Sequence, residues 1–150
     1  MMHKITDAII LAAGSGKRFG NKLPKQFVKI FKKSSIDISI ERLSKLKFIR
    51  NIYLTINENH EHLLKKLQNN VKLLIGGNTR TTSVYKSLDF INNLPSCPHN
   101  ILIHDAVRPC ISDSDMKSII SKNNTLTTGI ALGYPLTHAL KYVNKQINVI

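Results

Sequence analysis

Acidic residues are scarce in this chain: nine Asp and Glu stand against 22 Lys and Arg, a formal net charge of +13 over 150 residues. Such an excess suits nucleic-acid binding, attraction of an anionic small molecule, or a plain bias toward Lys, Asn and Ile. The lysines are dispersed, with no tract of five or six like charges, and no aromatic-rich strand offers a base-stacking platform. Bias plus an anionic substrate is the favoured account, and nucleic acid is not an expected partner. Cysteine is scarce too, with only Cys97 and Cys110 and no CxxC spacing, which suits a reducing compartment where neither is bridged. Long apolar runs are missing. The longest, Ala8 to Ala13, is far below the roughly 20 residues of a membrane span. Nor does the N-terminus read as a signal peptide, because Asp7 interrupts its short apolar part and a glycine loop stands where a cleavage site belongs. An apolar share of 42% and the chain length point to one globular domain, residues 1–150, expected in the cytoplasm with no membrane partner.

What is present is organised around Ala8 to Phe27, A-I-I-L-A-A-G-S-G-K-R-F-G-N-K-L-P-K-Q-F. Ala8–Leu11 is too short for a buried helix and right for a strand covered on both faces. The strand delivers Gly14 and Gly16, which let main-chain N–H groups face an anion, with Lys17, Arg18, Lys22 and Lys25 close behind. Neither common phosphate fingerprint fits: no Gly-Lys-Ser/Thr follows, and Gly20 comes one residue late for G-x-G-x-x-G.

Further along, a serine cap at Ser34-Ser35 opens an amphipathic helix through Ile36, Ile40, Leu43 and Leu46, and Arg50–Ile56 reads as a strand. Glu58–Asn69 reads as a helix with Leu63, Leu64 and Leu67 on one face. The spacing of His60 and His62 there points them apart and weighs against a metal site. Val71–Ile75 is the next strand. After Gly76-Gly77, a helix is expected with Val84, Leu88 and Ile91 inward, and then a loop from Leu94 to Asn100. Ile101–Ile103 reads as a short buried strand ending in a polar loop. Ser112 and Asp115 suggest a capped helix through Met116, Ile119 and Ile120, stopped by Asn123-Asn124. Thr128–Leu132 and Leu140–Val143 read as strands. Strands alternating with helices predict an α/β fold with a doubly wound, mostly parallel, Rossmann-like sheet and ligands at the C-terminal strand ends.

Three segments carry a resemblance. L-A-A-G-S-G-K-R-F-G with P-K-Q-F, G-G-N-T-R-T-T-S-V from Gly76, and H-D-A-V-R-P from His104 together resemble the 2-C-methyl-D-erythritol 4-phosphate cytidylyltransferases, of the nucleotidyltransferase superfamily. The resemblance implies transfer of CMP from CTP to 2-C-methyl-D-erythritol 4-phosphate, releasing pyrophosphate, in the non-mevalonate pathway of isoprenoid precursor synthesis. It gives Arg18 and Lys25 the role of transition-state stabilisers. It implies nucleotide binding by Leu11, Ala12, Ala13, Gly14, Ser15, Gly16, Gly77, Asn78, Ser83, Asp105, Ala106 and Arg108. Asp105 is the implied ligand of Mg²⁺ or another divalent cation, since such an ion takes one or two carboxylates plus phosphate oxygens. Asn78 stands where the family commonly has an acid, and His138 and Ala139 where it has an acid and a threonine. Family members also continue through a dimerisation arm within which this chain ends, so the family homodimer is expected to be weakened or lost here. A ribitol 5-phosphate cytidylyltransferase, or a non-catalytic nucleotide-binding or dimerisation remnant, are the alternative readings.

Overall fold

The structure, a computed structural model, describes residues 5–16, 20, 23–64, 67–122, 129–133 and 135. It divides into two compact units, Met1–Asp113 and Ser114–Ile150. Among the described residues no helix is long and apolar enough to cross a membrane.

The first unit is built on a four-stranded parallel sheet in the order β5-β4-β1-β6, where β1 is Thr6–Ala12, β4 Ile49–Ile56, β5 Val71–Ile75 and β6 Asn100–Asp105. β1 is central. Ala8, Ile9 and Ile10 are fully buried, as the unbroken apolar run requires of a strand covered on both faces. A hairpin, β2 (Lys29–Ile30) and β3 (Lys33–Ser34), follows the glycine loop and leads into α1, Ser35–Ser44. The serine cap is present: Ser34 Oγ accepts from Asp37 N, and the Asp37 carboxylate accepts from Ser34 N. Ile36, Ile40 and Leu43 of α1 are buried, as their spacing predicts.

α2, Arg80–Asn92, buries Ser83, Ser87 and Ile91; Val84 and Leu88, expected to face inward, are only half-buried. The reason is close approach. Ser87 Oγ lies 2.7 Å from Thr55 Oγ1 of β4, a pairing that larger side chains on this face would prevent. β6 also departs from the expected buried strand, since Ile101 and Leu102 are half-buried and Ile103 is 39% exposed. Among the described residues β6 pairs on one side only, with β1.

The helix expected over Glu58–Asn69 is instead a short 3-10 segment, Glu58–Leu63, with no buried residue. Its Asn and His residues are weak helix formers, and Leu64 is already extended at φ −79°, ψ 141°. The ring of His60 packs edge-on against Phe27, with centroids 5.7 Å apart.

The last described helix, α3, spans Asp113–Ser121 and begins directly after Ser112, as read from the sequence; all but its first residue belong to the second unit. Residues 129–132 form no strand, against the expectation for Thr128–Leu132. Thr128 itself, the Asn123-Asn124 stop, Leu140–Val143, His138 and Ala139 lie outside the described residues.

Candidate active site

All four sheet strands run parallel, so the loops after β1, β5 and β6 leave at one edge. The chain passes from β1 outward to β4 and β5, then crosses back to β6 on the other side of β1. This reversal makes the carboxyl ends of β1 and β6 the switch point of the sheet, where ligands of such sheets bind. Leu11 and Asp105 face each other in register there, and Ala106 N donates to Leu11 O at 3.0 Å.

The glycine loop is held in shape from below. Gln26, 3% exposed, sends Nε2 to Ala12 O and to Gly14 O, each at 2.7 Å. Gly16 has φ +66°, and a Cβ there would stand 3.1 Å from Lys25 N. The loop therefore turns back onto the Lys25–Phe27 turn, bringing the exposed Lys25 beside its end. Gly14 and Ser15 are exposed, Ala12 is buried, and Leu11 and Ala13 are half-buried. Arg18 lies outside the described residues.

The loop after β5 packs against the loop after β1. A Cβ on Gly76 would meet Ala13 Cβ at 2.6 Å and Ser83 Oγ at 2.9 Å, so only glycine fits. Ser83 Oγ accepts from Gly77 N at 3.0 Å and lies 2.8 Å from Thr79 O. That hydroxyl shapes the Gly77–Asn78 turn from inside, leaving Asn78 exposed beyond it. Thr79 caps α2 in a reciprocal box with Thr82.

On the third loop, Asp105 is 23% exposed and both of its oxygens are engaged. Arg80 Nε donates to Oδ1 at 3.1 Å and Arg108 Nε lies 3.3 Å from Oδ2. Ala106 is fully buried. His104 points to the opposite face, where Nε2 lies 3.3 Å from Ser39 Oγ, which also donates to Ala106 O. Burial above all pushes the His104 pKa down; the Asp105 carboxylate opposes this, and Arg42 and Arg108 reinforce it.

The structure thus brings together Leu11, Ala12, Ala13, Gly14, Gly16 and Lys25 with Gly77, Ser83, Asp105, Ala106 and Arg108. Gln26 and Arg80 went without a role in the sequence reading. Each lies inside a matched segment, P-K-Q-F or G-G-N-T-R, but nothing local shows that one side chain reaches back to the glycine loop and the other across to β6.

A parallel sheet whose strand order reverses at β1, with a glycine loop at that crossover, defines the class, a doubly wound α/β protein. Residues 6–150 match the model of the family described as IspD, 2-C-methyl-D-erythritol 4-phosphate cytidylyltransferase. The chain belongs to that family. It is 33% identical over 138 residues to the enzyme of that name from Wigglesworthia glossinidia brevipalpis, covering 89% of this chain and 58% of the relative. It is also 33% identical over 150 residues to that of Acinetobacter baylyi, covering 95% and 62%. The crystal structure of 2-C-methyl-D-erythritol 4-phosphate cytidylyltransferase from Francisella tularensis superposes with a TM-score of 0.62 at 25% identity, covering 77% of this chain and 50% of that one. The chain spans about 60% of the length of these curated relatives.

Proposed function

We propose that this chain binds CTP at the carboxyl ends of β1, β5 and β6 and transfers its CMP group to 2-C-methyl-D-erythritol 4-phosphate. The observation that carries the reading is the convergence of three matched loops on one sheet edge: Gly76 closes on Ala13, and Ala106 bonds to Leu11. In this reading the Gly14–Gly16 main chain faces the triphosphate, and Gly77, Asn78 and Ser83 form the cytosine end. Arg18 and Lys25 neutralise charge that builds on the α-phosphate oxygens.

Asp105 fits a hard divalent cation. It is a partly exposed carboxylate at a strand end, the type of ligand such an ion takes beside phosphate oxygens, and the arginines on its two oxygens are themselves exposed and free to pass to a triphosphate. Mg²⁺ held by Asp105 and the phosphates would supply charge neutralisation of the triphosphate. The acceptor's phosphate oxygen, already ionised at neutral pH, forms the new bond to the α-phosphorus as the bond to the bridging oxygen breaks and pyrophosphate leaves. No general base is needed, and the residues act by positioning and by charge.

The test is pyrophosphate release by the purified chain with CTP, Mg²⁺ and methylerythritol phosphate. Release that needs both substrates is expected, falling about 10²- to 10³-fold in Lys25→Ala. CTP binding without release would replace this reading with that of a nucleotide-binding protein lacking its acceptor site. Release with ribitol 5-phosphate alone would reassign the acceptor.

A further inference from the structure

Arg80 is the first residue of α2, where the helix dipole disfavours a cation. Its guanidinium nevertheless spans 25 residues of sequence to reach Oδ1 of Asp105, while Arg108 takes Oδ2. A free divalent cation approaching this carboxylate meets two guanidinium groups already on its oxygens. The three side chains sum to one positive charge, a balance that favours a polyanion over a metal ion. The same helix start carries the Thr79 cap and the Ser83–Gly77 bonds, so Arg80 joins the segment that shapes the base end to the residue assigned to the cation.

We propose that Arg80 is a positioning residue that guards Asp105: it holds Oδ1 in the nucleotide-free protein, keeps free divalent cations away, and passes to phosphate oxygens when a nucleoside triphosphate arrives. This rests on the reading of Asp105 given above. A monovalent and a divalent cation about 5 Å apart in a water-like dielectric repel enough to weaken ion binding about tenfold. Cation loading thereby becomes conditional on nucleotide. The two arginine side chains are 63% and 80% exposed, so their hold on Asp105 is weak enough to release to a triphosphate.

The experiment titrates the ¹⁵N-labelled chain with Mn²⁺ alone and follows paramagnetic broadening of the Leu11 and Ala106 amides, a readout independent of turnover. Arg80→Met should broaden at about tenfold lower Mn²⁺ than wild type. Arg80→Lys should restore wild-type behaviour, and Arg80→Met with Asp105→Asn should lose the gain. Arg80→Gln keeps a hydrogen-bond donor and removes only the charge; it should behave as Arg80→Met, and serves in its place if that variant loses its dispersed spectrum. Equal midpoints in wild type and the neutral variants would overturn the proposal, as would a gain that survives Asp105→Asn. A separate arm adds CTP to wild type. Failure of CTP to bring Mn²⁺ to Asp105 would bring down the site reading, whereas the ion-alone series judges Arg80 by itself.

Discussion

His104 and Asp105 are neighbours with opposite duties, because successive residues of a strand face opposite sides. Asp105 meets the arginines of the site, and His104 turns to Ser39 in the layer beneath. Burial lowers the pKa of His104 below its ordinary 6.5, so the folded protein resists a proton that the unfolded chain accepts. The contribution is intact above pH 6.5 and is lost as the pH falls from there toward the lowered folded value. Urea unfolding at pH 7.5 and pH 5.5 should show wild type losing more stability on acidification than His104→Gln. Equal losses would exclude His104 as the source. On the surface, Glu41 shows the opposite shift, since hydrogen bonds from Lys33 and Lys45 hold its carboxyl down at about 2. That surface cluster lies in solvent-screened surroundings and stabilises little.

At the scale of elements, close approach decides more than hydrophobic period. The β5–α2 connection closes on the glycine loop because Gly76 has no side chain, and α2 lies near β4 because Ser83 and Ser87 are small. Gly76→Ala should therefore cost about 1–3 kcal/mol in urea unfolding, as overpacking of a rigid contact does. It should also weaken CTP binding, since the Ala13 and Ser83 sides must separate. An unchanged midpoint would show that the two loops do not press on one another. The start of α1 was legible because its cap is local, Ser34 with Asp37 working within one turn; the Thr79–Thr82 cap of α2 is of the same kind. The stretch after β4 was misread for the complementary reason. Leu63, Leu64 and Leu67 have helical spacing, but Asn59, His60 and His62 are weak helix formers, and no residue of Glu58–Leu63 is fully buried.

For the first unit as a whole, a half-buried ion pair ties distant parts of the chain together. Asp7 of β1 is fully buried and accepts from Arg50 Nε at 3.0 Å and Nη2 at 2.8 Å, while Arg50 reaches on to Ser96 in the loop before β6. The Asp7 carboxylate raises the Arg50 pKa, chiefly through these hydrogen bonds. Arg50→Met would leave a buried carboxylate with, among the described residues, Asn51 N at 3.2 Å and the more distant Tyr53 hydroxyl. It should cost about 3 kcal/mol, and Arg50→Met combined with Asp7→Asn should cost less than the single change. Additive losses in the double variant would mean that the pair contributes nothing as a unit.

The sequence by itself determined the four strands of the main sheet and their order along the chain, the mostly parallel α/β class and the three loops that form the candidate site, though it missed the β2–β3 hairpin and read a strand where residues 129–132 form none. Each of these is written in a short local pattern: an apolar run, a glycine break, a cap. Only the tertiary structure decided that Gln26 braces the glycine loop, that α2 turns its serines inward, and that Arg80 lies on Asp105. Those outcomes join side chains from elements far apart in sequence. They depend on how closely the backbones approach and where the side chains point, and no periodicity or local motif records either.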